Sequence, residues 1–442
     1  MKGLMIAAAA GVLACAGLPA AAQSQVSYIQ AGRLLDRPGQ APRGPATIIV
    51  RDGKVAEVRD GLVAPEAGAT LVDLRDRFVM PGLIDLHVHV YADGDPLRQR
   101  LDATTRDDGD ALILAAAKGR RNLLAGFTTI RDLGGDPRGI RALRDAIERG
   151  DIAGPTIVNA GTMISVTGGH GDGRNGLAED FADAVHAHQI NVCDGPDDCR
   201  RAVRAQIGLG ALVIKFAATG GVLSNVAGGL GRQMTPEEMK AIVDTAHSFG
   251  RRVAVHSHAA EGTAAAIEAG ADTIEHASYL DDATIALFKR HGTWLVPTEI
   301  APVAAVASAR AGALPASVIP KAEAAVKALH ESHRRAFAAG VKFAFGTDTG
   351  VSRHGENATE FAYLVDLGMT PMQAIRSATI DAADALDRKG EIGSLEPGKW
   401  ADVIAVRGDP LGDVRLLEKT DFVMRHGVVH KANGEATGFV GR

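Results

Sequence analysis

Aromatic residues are scarce here: Phe, Trp and Tyr make up 4% of 442 residues, with two tryptophans and four tyrosines. So few rings exclude the stacked platforms on which single-stranded nucleic acids lie. A basic surplus is missing too, since 48 Lys and Arg face 53 Asp and Glu for a formal net charge of -5. That excludes the phosphate-tracking surface of a nucleic-acid binder. Three cysteines cannot build a zinc finger, and no histidine stands at finger-like spacing from them. There is no coiled-coil heptad, short-period repeat or low-complexity tract. What remains is ordinary globular composition, 46% hydrophobic and 23% charged, long enough for one large domain and a smaller one. It suits chemistry on a small molecule or peptide.

The N-terminus reads as an export signal. Lys2 gives the positive start, Leu4 to Leu18 the Ala- and Leu-rich run, and Ala20-Ala21-Ala22 the small-residue cleavage site before Gln23. The run is too short for a stable membrane span, so a periplasmic or secreted protein is expected. A weaker rival makes Cys15 a lipid-modified first residue, although Leu13 fits a lipobox poorly. Cleavage after Ala22 leaves Cys193 and Cys199, which flank Asp-Gly-Pro-Asp-Asp. In an oxidising compartment they close a small disulfide loop; otherwise they are two unrelated thiols.

Short β-rich runs separated by Gly and Pro fill Val26 to Met80, with a hairpin signal at Asp52-Gly53 between Ala46–Val50 and Gly53–Val58. The same texture returns in Ala401–Val406 and Phe422–Val429. Between these flanks, apolar strands alternate with helical stretches such as Pro236–Phe249, Thr263–Ala269 and Lys321–Ala339. Candidate strands are Leu83–His89, Thr128–Asp132, Thr156–Ala160, Leu212–Phe216, Val253–His256, Thr273–His276, Trp294–Thr298 and Phe343–Thr347. Eight β/α units predict an α/β fold, a (β/α)8 TIM barrel over 81–398, with a small β-sandwich domain built from both chain termini, 23–80 and 399–442. Residues 1–22 are the signal. A doubly wound sheet is the alternative, but no Gly-rich dinucleotide fingerprint follows the first strand.

The chemistry follows from where polar residues interrupt this pattern. Catalytic groups of such barrels come from the C-terminal ends of several strands. His87 and His89 end the first strand, Lys215 stands near the end of the fourth, His256 ends the fifth, His276 the sixth, and Asp348 follows the eighth. Each comes after an apolar run. Residues i and i+2 of a strand face one way, so His87 and His89 can chelate one ion together. Imidazole and carboxylate oxygen suit zinc and similar divalent cations. An ammonium beside a cation is repelled, but N6-carboxylation by CO2 turns Lys215 into a carboxylate able to bridge two ions.

Pro81-Gly82-Leu83-Ile84-Asp85-Leu86-His87-Val88-His89, Val213-Ile214-Lys215, the His256 and His276 pair, and Gly346-Thr347-Asp348 together resemble the motifs of the amidohydrolase superfamily. More narrowly, Thr167-Gly168-Gly169-His170-Gly171, Ala218-Thr219-Gly220-Gly221, Glu275-His276 and His354-Gly355-Glu356-Asn357 through Pro371-Met372-Gln373-Ala374 resemble its Xaa-Pro dipeptidase-like branch. That branch contains prolidases, carboxypeptidases of dipeptides with basic C-termini, and ochratoxin-hydrolysing amidohydrolases. The resemblance implies a metallopeptidase-like hydrolase of dipeptides or N-acyl amino acids, and a homo-oligomer. It also implies two Zn2+ sharing the Lys215 carbamate, one ion held by His87, His89 and Asp348 and the other by His256 and His276. By the same resemblance, a bridging water that the ions acidify to a pKa of about 7 would attack the amide carbonyl as hydroxide, with Asp348 carrying the proton to the leaving nitrogen.

Three further residues are candidate substrate contacts: His170 in a Gly-rich loop after the third strand, His258, and Tyr279 three residues beyond His276. His186, His188, His247, His291, His330, His333, His426 and His430 read as surface or packing residues, and His354 stays open. Competing functions are a one-metal deaminase or cyclic-amide hydrolase, a phosphotriesterase or lactonase, and a non-enzymatic exported metal- or solute-binding protein. The retained Asp348 argues against the last, because a storage site needs no proton shuttle.

Overall fold

The computed structural model describes residues 26–186, 189–222, 228–313 and 318–438. The expected export signal and Cys15 lie outside these. Among the described residues no helix is long and apolar enough to cross a membrane.

The eight strands expected in the centre are all present and parallel. They are β1 (Leu83–Val88), β2 (Phe127–Asp132), β3 (Thr156–Asn159), β4 (Val213–Ala217), β5 (Arg252–Ala259), β6 (Thr273–Tyr279), β7 (Trp294–Val296) and β8 (Lys342–Phe343). Their ends differ from the sequence reading by a few residues; β8 is the shortest, its segment leaving the ladder after Phe343. They pair as a three-stranded sheet, β1-β2-β3, and a five-stranded sheet, β8-β7-β6-β5-β4. Hydrogen bonds cross both seams. Leu86 N donates to Phe345 O at 3.0 Å and His89 N to Thr349 O at 2.7 Å, while Leu212 N donates to Asn159 O and Ile164 N to Lys215 O, both at 2.8 Å.

Helices fill the connections, and several of their starts carry a capping group. Thr235 accepts from Glu238 N ahead of Pro236–Ser248, and the Glu238 carboxylate closes a capping box. Asp136 caps Pro137–Arg149, which stops at the left-handed Gly150. The apolar faces of these helices join the strands in one core holding Phe127, Ile214, Phe216, Ile242, Val255, Ile274 and Phe345, all at most 1% exposed.

Both ends of the chain enter one further sheet of eight strands. Its order is Glu435–Ala436, Val428–Ala432, Phe422–Arg425, Val403–Val406, Thr70–Pro81, Val26–Leu34, Ala46–Arg51 and Lys54–Asp60. Val26–Leu34 runs parallel to Thr70–Pro81, and its pairing with Ala46–Arg51 is antiparallel. The run Phe422–Val429, continuous in the sequence reading, is split by a two-residue turn at His426-Gly427. A separate apolar cluster lies under this sheet, with Ile29, Leu34, Ile48, Val79, Val403 and Met424 at its centre.

Cys193 and Cys199 are joined in a disulfide, so the loop reading of that pair is the right one. Asp194, inside that loop, accepts from Thr167 N at 3.1 Å and from Thr167 Oγ1 at 2.6 Å. The bridge therefore braces the Gly-rich segment that carries His170.

Candidate metal centre

The strand ladder sets the relative height of the polar residues. Lys215 of β4 lies beside Ala254 of β5, and Ala217 beside His256, so Lys215 sits two residues deeper than His256. His256 in turn lies beside Glu275 of β6, and His276 beside Ser257. On β1, His87 occupies the fifth position and His89 follows the strand's end. Asp85 fixes the facing segment. It accepts from Thr347 N at 3.2 Å, Thr347 Oγ1 at 2.7 Å and Asn357 Nδ2 at 2.8 Å, which draws Gly346-Thr347-Asp348 against β1.

All six expected ligands line one cavity of about 620 Å3, together with His170 and His258. Ring centroids of His87 and His276 are 5.0 Å apart, those of His256 and His276 4.6 Å, and those of His170 and His256 4.2 Å. Asp348 Oδ1 lies 3.4 Å from His87 Nε2 and 3.3 Å from His89 Nε2. Among the described residues, potential ligand atoms cluster in two triplets that share His276: His87, His276 and Asp348, and His256, His258 and His276. His258, expected as a substrate contact, is thus as close to His256 and His276 as a ligand would be. Tyr279 is not brought to the cavity; it stands 36% exposed at the end of β6.

Four of the rings are aimed by their Nδ1. Glu275 Oε2 holds His87 Nδ1 at 2.9 Å, Gly134 O holds His89 Nδ1 at 3.2 Å, Ser278 Oγ holds His258 Nδ1 at 2.8 Å, and Thr298 Oγ1 holds His276 Nδ1 at 2.7 Å. A carbonyl only accepts, so His89 Nδ1 carries a proton, and Nε2 faces the cavity beside Asp348; burial acts to lower this imidazole, but Asp348 outweighs it and holds the ring above its usual range. This is how metal-ligating imidazoles are held. His170 is seated by the missing side chain of Gly221, whose Cβ would lie 2.3 Å from His170 Cε1.

The electrostatics agree. Burial, with Lys215 nearby, pushes His87 down to about 4. Burial and neighbouring rings, His170 for one and His258 for the other, hold His256 and His276 well below the usual imidazole range. These are neutral imidazoles, the form that ligates. Burial also brings Lys215 down to about 8. Burial acts to raise Glu275, but Arg131 and His87 outweigh it and bring the carboxyl to about 2.

Sequence reasoning gave Glu275 no role and passed over Arg131. Arg131 is 1% exposed; its guanidinium donates to Leu86 O at 2.5 Å, to Thr273 Oγ1 at 3.1 Å and to Glu275 Oε1 at 2.8 Å. An arginine inside the apolar run Phe127–Asp132 was the available signal, since a buried cation requires a partner.

Among the described residues, the buried cavity-lining nitrogens Lys215 Nζ and His256 Nε2 find no hydrogen-bond partner. Leaving such groups dry costs several kcal/mol for an ammonium and about 1–3 kcal/mol for a neutral nitrogen. Neutral imidazoles, a carboxylate and two orphaned nitrogens in one buried cluster fit divalent cations.

Comparison with known proteins agrees with this geometry. The model of the amidohydrolase family matches residues 78–431. An ochratoxinase from Aspergillus niger is 33% identical over 415 residues, covering 90% of this chain and 84% of that protein. The crystal structure of a Xaa-Pro dipeptidase with methionine bound in its active site superimposes with a TM-score of 0.86 at 37% identity, over 92% of this chain and all of that one. The A. niger ochratoxinase structure gives 0.81 at 30% identity, over 93% and 96%. The architecture is accordingly a TIM-barrel-like α/β domain with a β-rich domain. Proteins of this group generally bind divalent metals, and the histidine cluster is compatible with them. The chain belongs to the amidohydrolase family and is a hydrolase acting on amide bonds.

Proposed function

We propose that this hydrolase cleaves dipeptides or N-acyl amino acids, ochratoxin-type N-acyl phenylalanine included, at a centre of two divalent cations of the zinc kind. The observation that carries the reading is the orphaned pair Lys215 Nζ and His256 Nε2, buried among neutral imidazoles. His87, His89 and Asp348 would hold one ion, His256 and His276 the other, and an N6-carboxylated Lys215 both. A lowered lysine presents more of the free amine that adds CO2, which supports the carboxylation. Bound there, divalent cations supply an acidified water and polarise the amide carbonyl.

The chain's own groups do the rest. Asp348 is kept ionised because His87 and His89 offset the effect of its burial. It accepts the nucleophile's proton and returns it to the amide nitrogen as the amine leaves. Among the described residues no arginine lines the cavity, and Lys215 is its one lysine. The carboxylate of the amino-acid half therefore falls to His170 and His258. Ala301, Pro302, Ala305, Ala325 and Leu329 form an apolar wall, which suits a bulky hydrophobic group.

The bonds across both seams support a closed eight-stranded barrel over 81–398, with 23–80 and 399–442 as a composite β-sandwich domain. The disulfide suits an oxidising compartment, hence export after cleavage behind Ala22 to the periplasm or medium. A homo-oligomer rests on the resemblance alone.

The test is hydrolysis of a dipeptide and N-acyl amino-acid panel, read by product mass, with and without chelator. Turnover should favour members with a large apolar group, stop on metal removal and recover with Zn2+. Lys215→Ala should lose nearly all activity. An active Lys215→Ala holding one ion per chain would favour a deaminase-type reaction instead, and metal uptake without turnover on the whole panel would end the proposal.

A further inference from the structure

The peptide joining His276 to Ala277 lies between two left-handed residues, with φ of 70° and 50°. That conformation costs an L-residue about 1–2 kcal/mol and persists only where the surroundings impose it. The helix Val318–Ala338 brings two consecutive side chains to this turn. Ser332 Oγ donates to Ser278 O at 2.8 Å and accepts from Leu280 N at 3.1 Å. His333, fully buried, places Nε2 2.5 Å from His276 O and Nδ1 2.6 Å from Glu299 Oε1.

A backbone carbonyl can only accept, so His333 Nε2 carries a proton and donates it to His276 O. Glu299 fixes the other side of the ring and is fixed in turn. Its N–H donates to Glu360 Oε1 at 2.8 Å, the next amide to Glu360 Oε2 at 2.9 Å, and its second oxygen lies 3.3 Å from His330 Nδ1. The His276 ring is thus restrained at two points, its own carbonyl and the Nδ1 bond to Thr298. If packing were all that was required, an apolar side chain would serve as well or better, because burying a paired charge carries a desolvation cost.

We propose that His333, locked by Glu299, is a positioning residue for His276: it holds the left-handed turn that directs this imidazole into the centre. The inference rests on the reading of His276 as a metal ligand. Three variants test it. His333→Leu removes the donor at similar size. His333→Gln keeps an N–H able to reach His276 O. The double variant Glu299→Leu/His333→Leu removes the donor without stranding a buried carboxylate, and serves if His333→Leu does not fold.

The readouts are Zn2+ affinity by competition with a chelator, the absorption spectrum of the Co2+-loaded protein, and kcat apart from KM. His333→Leu, or the double variant, should bind metal roughly 10–100-fold more weakly, with an altered Co2+ spectrum and a fall in kcat rather than a rise in KM. His333→Gln should recover most of both. A folded donor-less variant with the parent's affinity and spectrum overturns the proposal. His276→Ala separates the two levels. If it loses metal while the His333 variants do not, positioning alone is wrong; if it too keeps the parent's affinity, His276 is no ligand and both readings fall.

Discussion

Seven of the eight described non-glycine residues in the left-handed conformation, all but Asp387, fall in two regions of this molecule. In the eight-stranded sheet, Asp52, His426 and Asn433 take it with φ of 50°, 48° and 52°, and each precedes a glycine with φ of 79°, 77° or 80°. Each pair joins adjacent antiparallel strands, so these are two-residue hairpin turns whose twist matches their strands. At the metal centre the same conformation falls on His276, Ala277, Thr298 and Asp348, with φ of 70°, 50°, 55° and 56°, and no glycine follows any of them. Turn residues adopt it at little cost. A β-branched threonine does not. The difference teaches that the sheet places in this conformation only residues that take it readily, whereas the centre also holds Ala277 and Thr298 there against their preference.

The way to break the centre is therefore to remove what forces it. Glu275 binds Arg131, His87 and Thr273 at once. Glu275→Gln leaves Arg131 buried without its counter-charge and weakens the orientation of His87. We expect a stability loss of about 3–5 kcal/mol, read by urea unfolding, and roughly 10–100-fold weaker metal binding or activity. A variant with the parent's unfolding midpoint and full metal content would mean that the buried ion pair does not support the centre.

The sheet should respond differently. Gly427 has φ 77°, and a Cβ there would lie 2.8 Å from Gly53 Cα, so two turns meet where neither has room for a side chain. Gly427→Ala should cost about 1–3 kcal/mol and lower the thermal midpoint. Metal content and kcat at 25 °C should stay at the parent's level. A fall in kcat in step with stability would show that the sheet shapes the site, and the contrast between the two regions would fail.

The contrast also explains what could be read in advance. The eight strands, and the convergence of six metal-competent residues on one cavity, were legible because each polar residue stands at or near the end of an apolar run, and both signals are local. Asp52-Gly53 was legible for the same reason. His426-Gly427 was not, since strand-like residues flank it and hid the turn. Arg131, Glu275, Glu299 and His333 were invisible as a set. Arg131 and Glu275 are 144 positions apart and His333 and Glu299 34, and no periodicity marks such pairs. His333 read as a packing residue, which its burial fits; only the atoms facing its two nitrogens give it more to do. The left-handed φ at His276 and Ala277 left no trace in sequence either, because nothing about an alanine asks for it.

That alanine offers the smallest effect and the sharpest version of the comparison. Ala277 is fully buried at φ 50°, so Ala277→Gly changes three terms. Relief of the left-handed strain stabilises by about 1–2 kcal/mol. Loss of one buried methyl costs about 0.8 kcal/mol, and the freer unfolded chain costs about 0.4–1 kcal/mol more. The terms nearly cancel, so stability should stay within about 1 kcal/mol of the parent, although deleting a buried side chain normally destabilises. Calorimetry and urea unfolding measure this directly. A loss of about 2 kcal/mol or more would mean that the alanine was never strained. The centre's left-handed residues would then be as comfortable as the sheet's, and the turn at His276 would need no helper to hold it.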